Sequence, residues 1–492
     1  MNASPPEPSS AGTSRPEPSS AETSSPGAPK DATAAKAATP TTTATGQTST
    51  DRNERMEVLL RSRPYVVLLI TAAILGVPIA ALAYGFLQLI TSIVTWVYTD
   101  LPHGLGFSST PTWWPLLPLA VAGLVVGATV RYLPGAGGEV PADGFHAGPP
   151  AAKVLIGIAI AAIASISLGP VVGPEGPLIA LGGGVAVWMV RLARRDLPQQ
   201  TAAVVAATGS FAAISTLLGS PLVGAFLLME ITGVAGAMAS VTLVPGLLGA
   251  GIGALIFTGL DAITGKGTFS LAIPDLPSTA RPTVAEFGWA LAIGVLAALA
   301  CWILRRIAAT IRPLIERWTI PLTVAVGLAT AGLAIGYTAA TNHTNADVLF
   351  SGQSDLPSLI EHASAYSIGA LLLLLLCKGL AYAGSLVAFR GGPTFPALFL
   401  GAAGGIAMSH LPGLGLIPGV AMGLGAMTVG MLRLPFTAVL LTTLFLGGDG
   451  VTVMPLVIVA VVVAHVITIR LTPLPAEAAS GQPAPAAPSG SG

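Results

Sequence analysis

The chain has 492 residues, 53% of them hydrophobic and 9% charged, and its 22 Lys+Arg balance its 22 Asp+Glu. A mean hydropathy of +0.78 over that length excludes a soluble globular protein and describes an all-α polytopic protein lying in a lipid bilayer. Zero net charge offers no footing for nucleic acid, so no such partner is expected.

Residues 1–55 are rich in Ala, Ser, Thr and Pro with few large apolar side chains, a composition that predicts a disordered tail. There is no basic start followed by an apolar core, so it is not read as a secretory signal. Arg52, Arg55, Arg61 and Arg63 crowd the entry to the first long apolar run, which puts the tail on the cytoplasmic side. A first transmembrane repeat is expected over 56–261. Its run at 64–97 can cross a bilayer even when tilted, and Trp113–Trp114 open a second that ends near Arg131, tryptophans suited to an interfacial belt. Residues 133–150 read as an aqueous loop in which Asp143 and His146 are solvated. From Lys153 the runs become short: 153–168, 177–192, 201–218, 221–235 and 240–260. A run of about 14 residues gives a helix of roughly 21 Å against a hydrocarbon core of roughly 30 Å, so some must end inside the membrane. Such ends persist only where protein or a wet cavity satisfies the free backbone groups.

The stretch at 167–184, SLGPVVGPEGPLIALGGG, sets one carboxylate, Glu175, among glycines and prolines. Pro170, Pro174 and Pro177 bar a continuous helix through it. Glycines at 169, 173 and 176 leave backbone N–H groups unshielded. A helix starting at Pro177 and running to about Val190 would aim its positive end at the surroundings of Glu175, and such an end attracts anions. Glu175 is therefore either a cap for that helix or a group that an incoming anion must displace. Ionisable groups at membrane depth are costly and usually serve a pathway, which favours the second.

Arg191, Arg194 and Arg195 mark a cytoplasmic turn, and Arg305, Arg306, Arg312 and Arg317 mark another. Residues 262–283 read as a polar connector, and a second repeat is expected over 284–471, with runs at 284–304, 320–340, 366–388 and 451–469. His343, Asp355 and His362 in the loop at 341–364 have no regular ligand spacing and are taken as solvated. Cys301 and Cys377 read as packed thiols, without metal-ligand spacing. Residues 472–492 form a disordered tail, and both termini face the cytoplasm. The halves echo each other: FRGGPTFPALFLGAAGGIAM follows VVGPEGPLIALGGGVAV, with Pro396 answering Pro177, and GMLRLPFTAVLLTTLF follows STLLGSPLVGAFLLME, with Pro435 answering Pro221. Paired broken segments at matching places are the mark of a transporter-type fold with its site at the repeat interface.

Over roughly residues 60–470 the chain resembles the CLC family of chloride channels and chloride/proton antiporters. The family motif Gly-Lys/Arg-Glu-Gly-Pro is similar to Gly173, Pro174, Glu175, Gly176 and Pro177. Gly-x-Phe-x-Pro is similar to Gly392, Pro393, Thr394, Phe395 and Pro396, with the phenylalanine one place later. Gly-Ser-Gly-Ile-Pro corresponds to Gly137, Gly138, Glu139, Val140 and Pro141. The resemblance implies two inverted repeats of broken, tilted helices, a homodimer with one anion pathway per subunit, and Glu175 as the gate of that pathway.

The chain departs from the family at several points. Gly138 stands where the family has an anion-binding serine, and Glu139 adds a carboxylate beside it. The pore tyrosine, counted back from Pro455, falls on Gly450, so anion coordination is left to backbone N–H groups, with Thr394 as a hydroxyl substitute. The internal glutamate that passes protons in the antiporters falls on Ile231, and Glu230 beside it is turned by about 100°. The expectation is passive anion conduction gated by Glu175 in the cell membrane, with chloride/proton antiport as the alternative. No nucleophile and base stand at recognisable spacing and no ligand cluster is present, so neither an enzyme, a cofactor nor a metal is expected; an intramembrane enzyme or a non-conducting scaffold is the contrasting reading.

Overall fold

The structure, a computed structural model, describes residues 58, 60–145, 148, 150–233, 237–265 and 281–472. The predicted N-terminal tail, the predicted C-terminal tail beyond Thr472, most of the predicted connector and His146 lie outside these residues.

Among the described residues, fourteen principal helices fall into two sets of seven. The first set is α1 (Arg63–Thr95), α2 (Leu116–Tyr132), α3 (Leu155–Ser167), α4 (Glu175–Ala193), α5 (Gln199–Leu218), α6 (Pro221–Thr232) and α7 (Ala237–Thr264). The second is α8 (Val284–Arg317), α9 (Thr319–Thr341), α10 (Ile368–Ala388), α11 (Thr394–Ser409), α12 (Leu416–Leu432), α13 (Pro435–Phe445) and α14 (Gly447–Leu471). Short local signals start several of them. Ser62 and Ser367 accept N–H groups at the heads of α1 and α10, Ser220 does so for α6 with Pro221 first in the helix, and Thr283 and Glu286 close a capping box on α8.

Helix pairs recur between the sets. α4 packs on α5 as α11 packs on α12; α1 packs on α7 as α8 packs on α14; and α5 packs on α7 as α12 packs on α14. Where the sets meet, α2 lies on α9 and α6 on α13, each helix against its own counterpart. These are the two inverted repeats. Small residues let the backbones close up: a side chain at Gly182 would strike the Gly209 carbonyl, and one at Gly401 the Gly423 carbonyl, so α4–α5 and α11–α12 share one contact type.

Among the described residues, eight helices are long and apolar enough to cross a membrane. Others fall short: α3, α6 and α13 have 13, 12 and 11 residues, against about 20 for a full crossing. The chain is an integral, multi-pass membrane protein of broken helices.

Three expectations change. α8 continues through Arg305, Arg306 and Arg312 to Arg317, where a turn was predicted, because no residue between 284 and 312 interrupts its hydrogen bonding and a 34-residue helix can carry its charged end beyond the hydrocarbon. Asp143 is exposed, as expected, and in addition pairs with Arg312 at 2.6 Å. His343 is half-buried, its ring stacked 4.1 Å from that of Tyr366, and Asp355 is also half-buried, whereas His362 is exposed. Of the tryptophan pair, Trp113 is exposed, but Trp114 is buried and donates to the Val97 carbonyl at 3.0 Å, so only one suits an interface. Cys301 and Cys377 are both buried free thiols.

Candidate anion passage

Two glycine- and proline-bearing turns bring α4 and α11 head to head. Before α4, Gly169 takes φ +113°, a conformation side chains rarely adopt, and its carbonyl accepts the Phe350 N–H at 3.0 Å. The chain then runs into α4 with Glu175 as its first residue, two earlier than predicted. Pro177 is tolerated at the third position because its missing N–H is one of the four that have no partner within the helix.

The equivalent turn enters α11 at Thr394. Gly173 and Gly392 exchange both backbone hydrogen bonds, 2.8 Å and 2.6 Å, an antiparallel bridge between counterpart residues of the two repeats. On either side the halves reciprocate: the Val171 N–H donates to Ser385 Oγ at 3.1 Å, and the Arg390 N–H donates to Ser165 Oγ at 3.0 Å.

Glu175 sits in this junction with 1% of its surface exposed. Its Oε1 accepts the Thr394 N–H at 2.5 Å, at the positive end of α11, while its own backbone begins α4. Its Oε2 is buried without a hydrogen-bond partner among the described residues. Gly173 and Gly392 are glycine for a stated reason: a Cβ on either would collide with the carboxyl group. Phe395 and Pro396 are buried behind it, and Tyr382 on α10 braces the turn by donating to the Pro393 carbonyl at 2.6 Å.

Neighbours of Glu175 open onto different cavities. Pro174 lines one of about 500 Å³ bordered by hydroxyls and amides, among them Thr91, Thr95, Thr110, Asn345 and Ser351. Gly176 and Pro177 line another of about 30 Å³ with Gly137, Gly138, Glu139, Val140 and Pro141, and it shares Gly138, Glu139 and Gly176 with a third of about 240 Å³. Glu175 itself lines none of the three.

Gly137 and Gly138 take φ +71° and +99°, so a serine at 138 would be strained, and Glu139 beside it is exposed. Gly450 does not join this group: it packs against the backbone of Thr443 on α13. Thr394 contributes its N–H to Glu175. Ile231 packs against the apolar core, while Glu230 accepts the N–H groups of Phe436 and Thr437 at 2.9 and 2.7 Å and so caps α13.

Two buried cations escaped the sequence reading. Arg390 lines the 30 Å³ cavity. Lys378 on α10 donates into the carbonyls of Asp347, Val348, Leu349 and Phe350, at 2.9 to 3.4 Å, and lies 4.2 Å from the Phe399 ring centre. It pins the loop that borders the large cavity. Each is a lone charge in an apolar stretch, which is the signal that could have found it.

Residues 142–468 match the family described as voltage gated chloride channel. An Escherichia coli O17:K52:H18 protein named "Putative ion-transport protein YfeO" is 24% identical over 356 residues, covering 72% of this chain and 81% of that protein. The protein of that name in Salmonella paratyphi A is 25% identical over 354 residues, 70% and 81% of the two chains. Among solved structures, a slow cyanobacterial Cl-/H+ antiporter superposes with a TM-score of 0.63 at 20% identity, covering 85% of this chain and 95% of that one. A CLC-type fluoride/proton antiporter gives 0.62 at 18% identity, with 82% and 96% covered.

Proposed function

The chain belongs to the voltage gated chloride channel family, whose work is anion transport, and we propose that it conducts a small monovalent anion such as chloride through a passage gated by Glu175. The observation that carries this reading is the position of the Glu175 carboxylate, buried on the first free N–H of α11, with its chain neighbours Pro174 and Gly176 lining different cavities.

The carboxylate occupies the place that suits an anion. Backbone N–H groups at the heads of α4 and α11 attract negative charge, and a carboxylate and a dehydrated halide are alternative occupants of one electrostatic well. Swinging the side chain out, or protonating it, frees the well. The anion is then held by main-chain N–H groups at the two helix heads, Gly176 on α4 and Thr394 and Phe395 on α11, with the turn at 137–141 on the far side. Gly173 and Gly392 give their N–H groups to each other, and Pro174, Pro177, Pro393 and Pro396, which have none, set the path of the two turns. Gly450 offers no hydroxyl.

We assign passive conduction because the position that would relay protons is Ile231 and its neighbour Glu230 is engaged at the head of α13. Coupled exchange is the second reading, favoured by the two structural neighbours described as antiporters. In this proposal the protein works as a homodimer in the cell membrane with both termini cytoplasmic.

The test is the reversal potential of purified protein in a bilayer, measured in a chloride gradient with and without an added pH gradient. Passive conduction predicts a potential that follows chloride alone; a shift with pH would establish proton coupling and overturn it.

A further inference from the structure

We infer that Arg390 is an anion-binding residue of the passage, holding a halide-sized monovalent anion in the cavity between the turn at 137–141 and the head of α4. This deepens the proposed function and rests on it.

Three observations converge. Arg390 is only 6% exposed, yet no carboxylate pairs with it among the described residues. Its guanidinium donates to two neutral carbonyls, Nε to Ala136 at 3.1 Å and Nη1 to Phe389 at 3.1 Å. A buried cation with only neutral partners keeps an uncompensated charge, a costly arrangement that an anion relieves. Asp143, which could have neutralised this region, is taken by Arg312 at 2.6 and 3.1 Å.

The cavity also fits. At about 30 Å³ it holds a single small ion or water, and Arg390 lines it together with Gly138, Gly176 and Gly391, where no side chain intervenes. The positive φ of Gly138 excludes an ordinary side chain there, so a hydroxyl at that position is unavailable for structural reasons. Arg390, which reaches this turn through its bond to the Ala136 carbonyl, supplies the missing donor as a full charge. Glu139 borders this cavity and the wider 240 Å³ one, but it is exposed, so Arg390 is the buried charge of the two.

The experiment is chloride flux in liposomes as a function of chloride concentration for wild type, Arg390→Lys and Arg390→Gln. Arg390→Gln should raise the half-saturating chloride concentration about tenfold or more and Arg390→Lys should keep it within about threefold, since a point charge retains attraction but loses the fork. A half-saturation unchanged in Arg390→Gln, with flux intact, overturns the inference and leaves the proposed function standing. Absence of flux from wild type would sink the proposed function instead.

Crystals of the wild-type protein soaked in bromide give a readout independent of flux and of how the variants fold. An anomalous peak against the Arg390 guanidinium supports the site, and peaks elsewhere with none at Arg390 overturn it.

Discussion

Glu175 and Thr394 hold the same place in the two repeats, 219 residues apart, and the carboxylate of the first accepts the backbone N–H of the second at 2.5 Å. The relationship is asymmetric chemistry on a symmetric frame. Two helix heads face each other across the Gly173–Gly392 bridge, and only one carries an anionic side chain to fill the well they create.

Gly392→Ala tests that packing. The new Cβ would strike the Glu175 carboxyl, so the side chain must leave its seat or the turn must open. Overpacking of this kind costs about 1–3 kcal/mol. The expected outcome is higher chloride flux at neutral pH, and no further rise when Glu175→Ala is added, because both changes empty the same well. Flux gains that add independently would contradict the shared site.

Lys378→Met removes an ammonium that serves carbonyls of four successive residues, 347 to 350. Leaving buried acceptors unmatched costs about 1–3 kcal/mol each. The variant should therefore lose roughly 3 kcal/mol or more, read as a lower midpoint of thermal unfolding in detergent. An unchanged midpoint would mean that water serves those carbonyls equally well.

How much of this is legible in the sequence follows from where each partner lies. Glu175 and its prolines announce themselves because the whole motif is local, and the repeat is legible from Pro177 with Pro396 and Pro221 with Pro435. Arg390 and Lys378 are visible only as charges in apolar stretches. Their partners, the Ala136 carbonyl and the loop at 347–350, lie 254 and about 30 residues away, and tertiary packing alone joins them. The end of α8 was misread for a related reason: arginines mark a membrane boundary in sequence, but they do not break a helix.

The loop that carries Asp347 should respond to pH. Burial pushes its carboxyl above the usual carboxylate range, against the opposing pull of the Tyr366 and Tyr337 hydroxyls, the Lys378 ammonium and His343. Asp355 in the same loop is also raised by burial. The folded loop thus keeps protons that the unfolded chain releases, so stability falls as pH rises from the unfolded carboxylate value through the folded one, and is greatest below that window. Hydrogen-exchange protection factors over 342–366, corrected for the pH dependence of the intrinsic exchange rate, should be larger at pH 4 than at pH 7, and Asp347→Asn should reduce the difference. Larger protection at pH 7 would reverse the sign and contradict the assignment.

The measurement to make before the others is chloride efflux from liposomes at pH 7.5 and pH 4.5 for wild type and Glu175→Gln. A carboxylate that competes with the anion predicts wild-type efflux that rises about tenfold on acidification and a Gln variant that is fast at both pH values, within about twofold. A Gln variant that keeps the wild-type acid response would contradict the assignment of Glu175 as the gate.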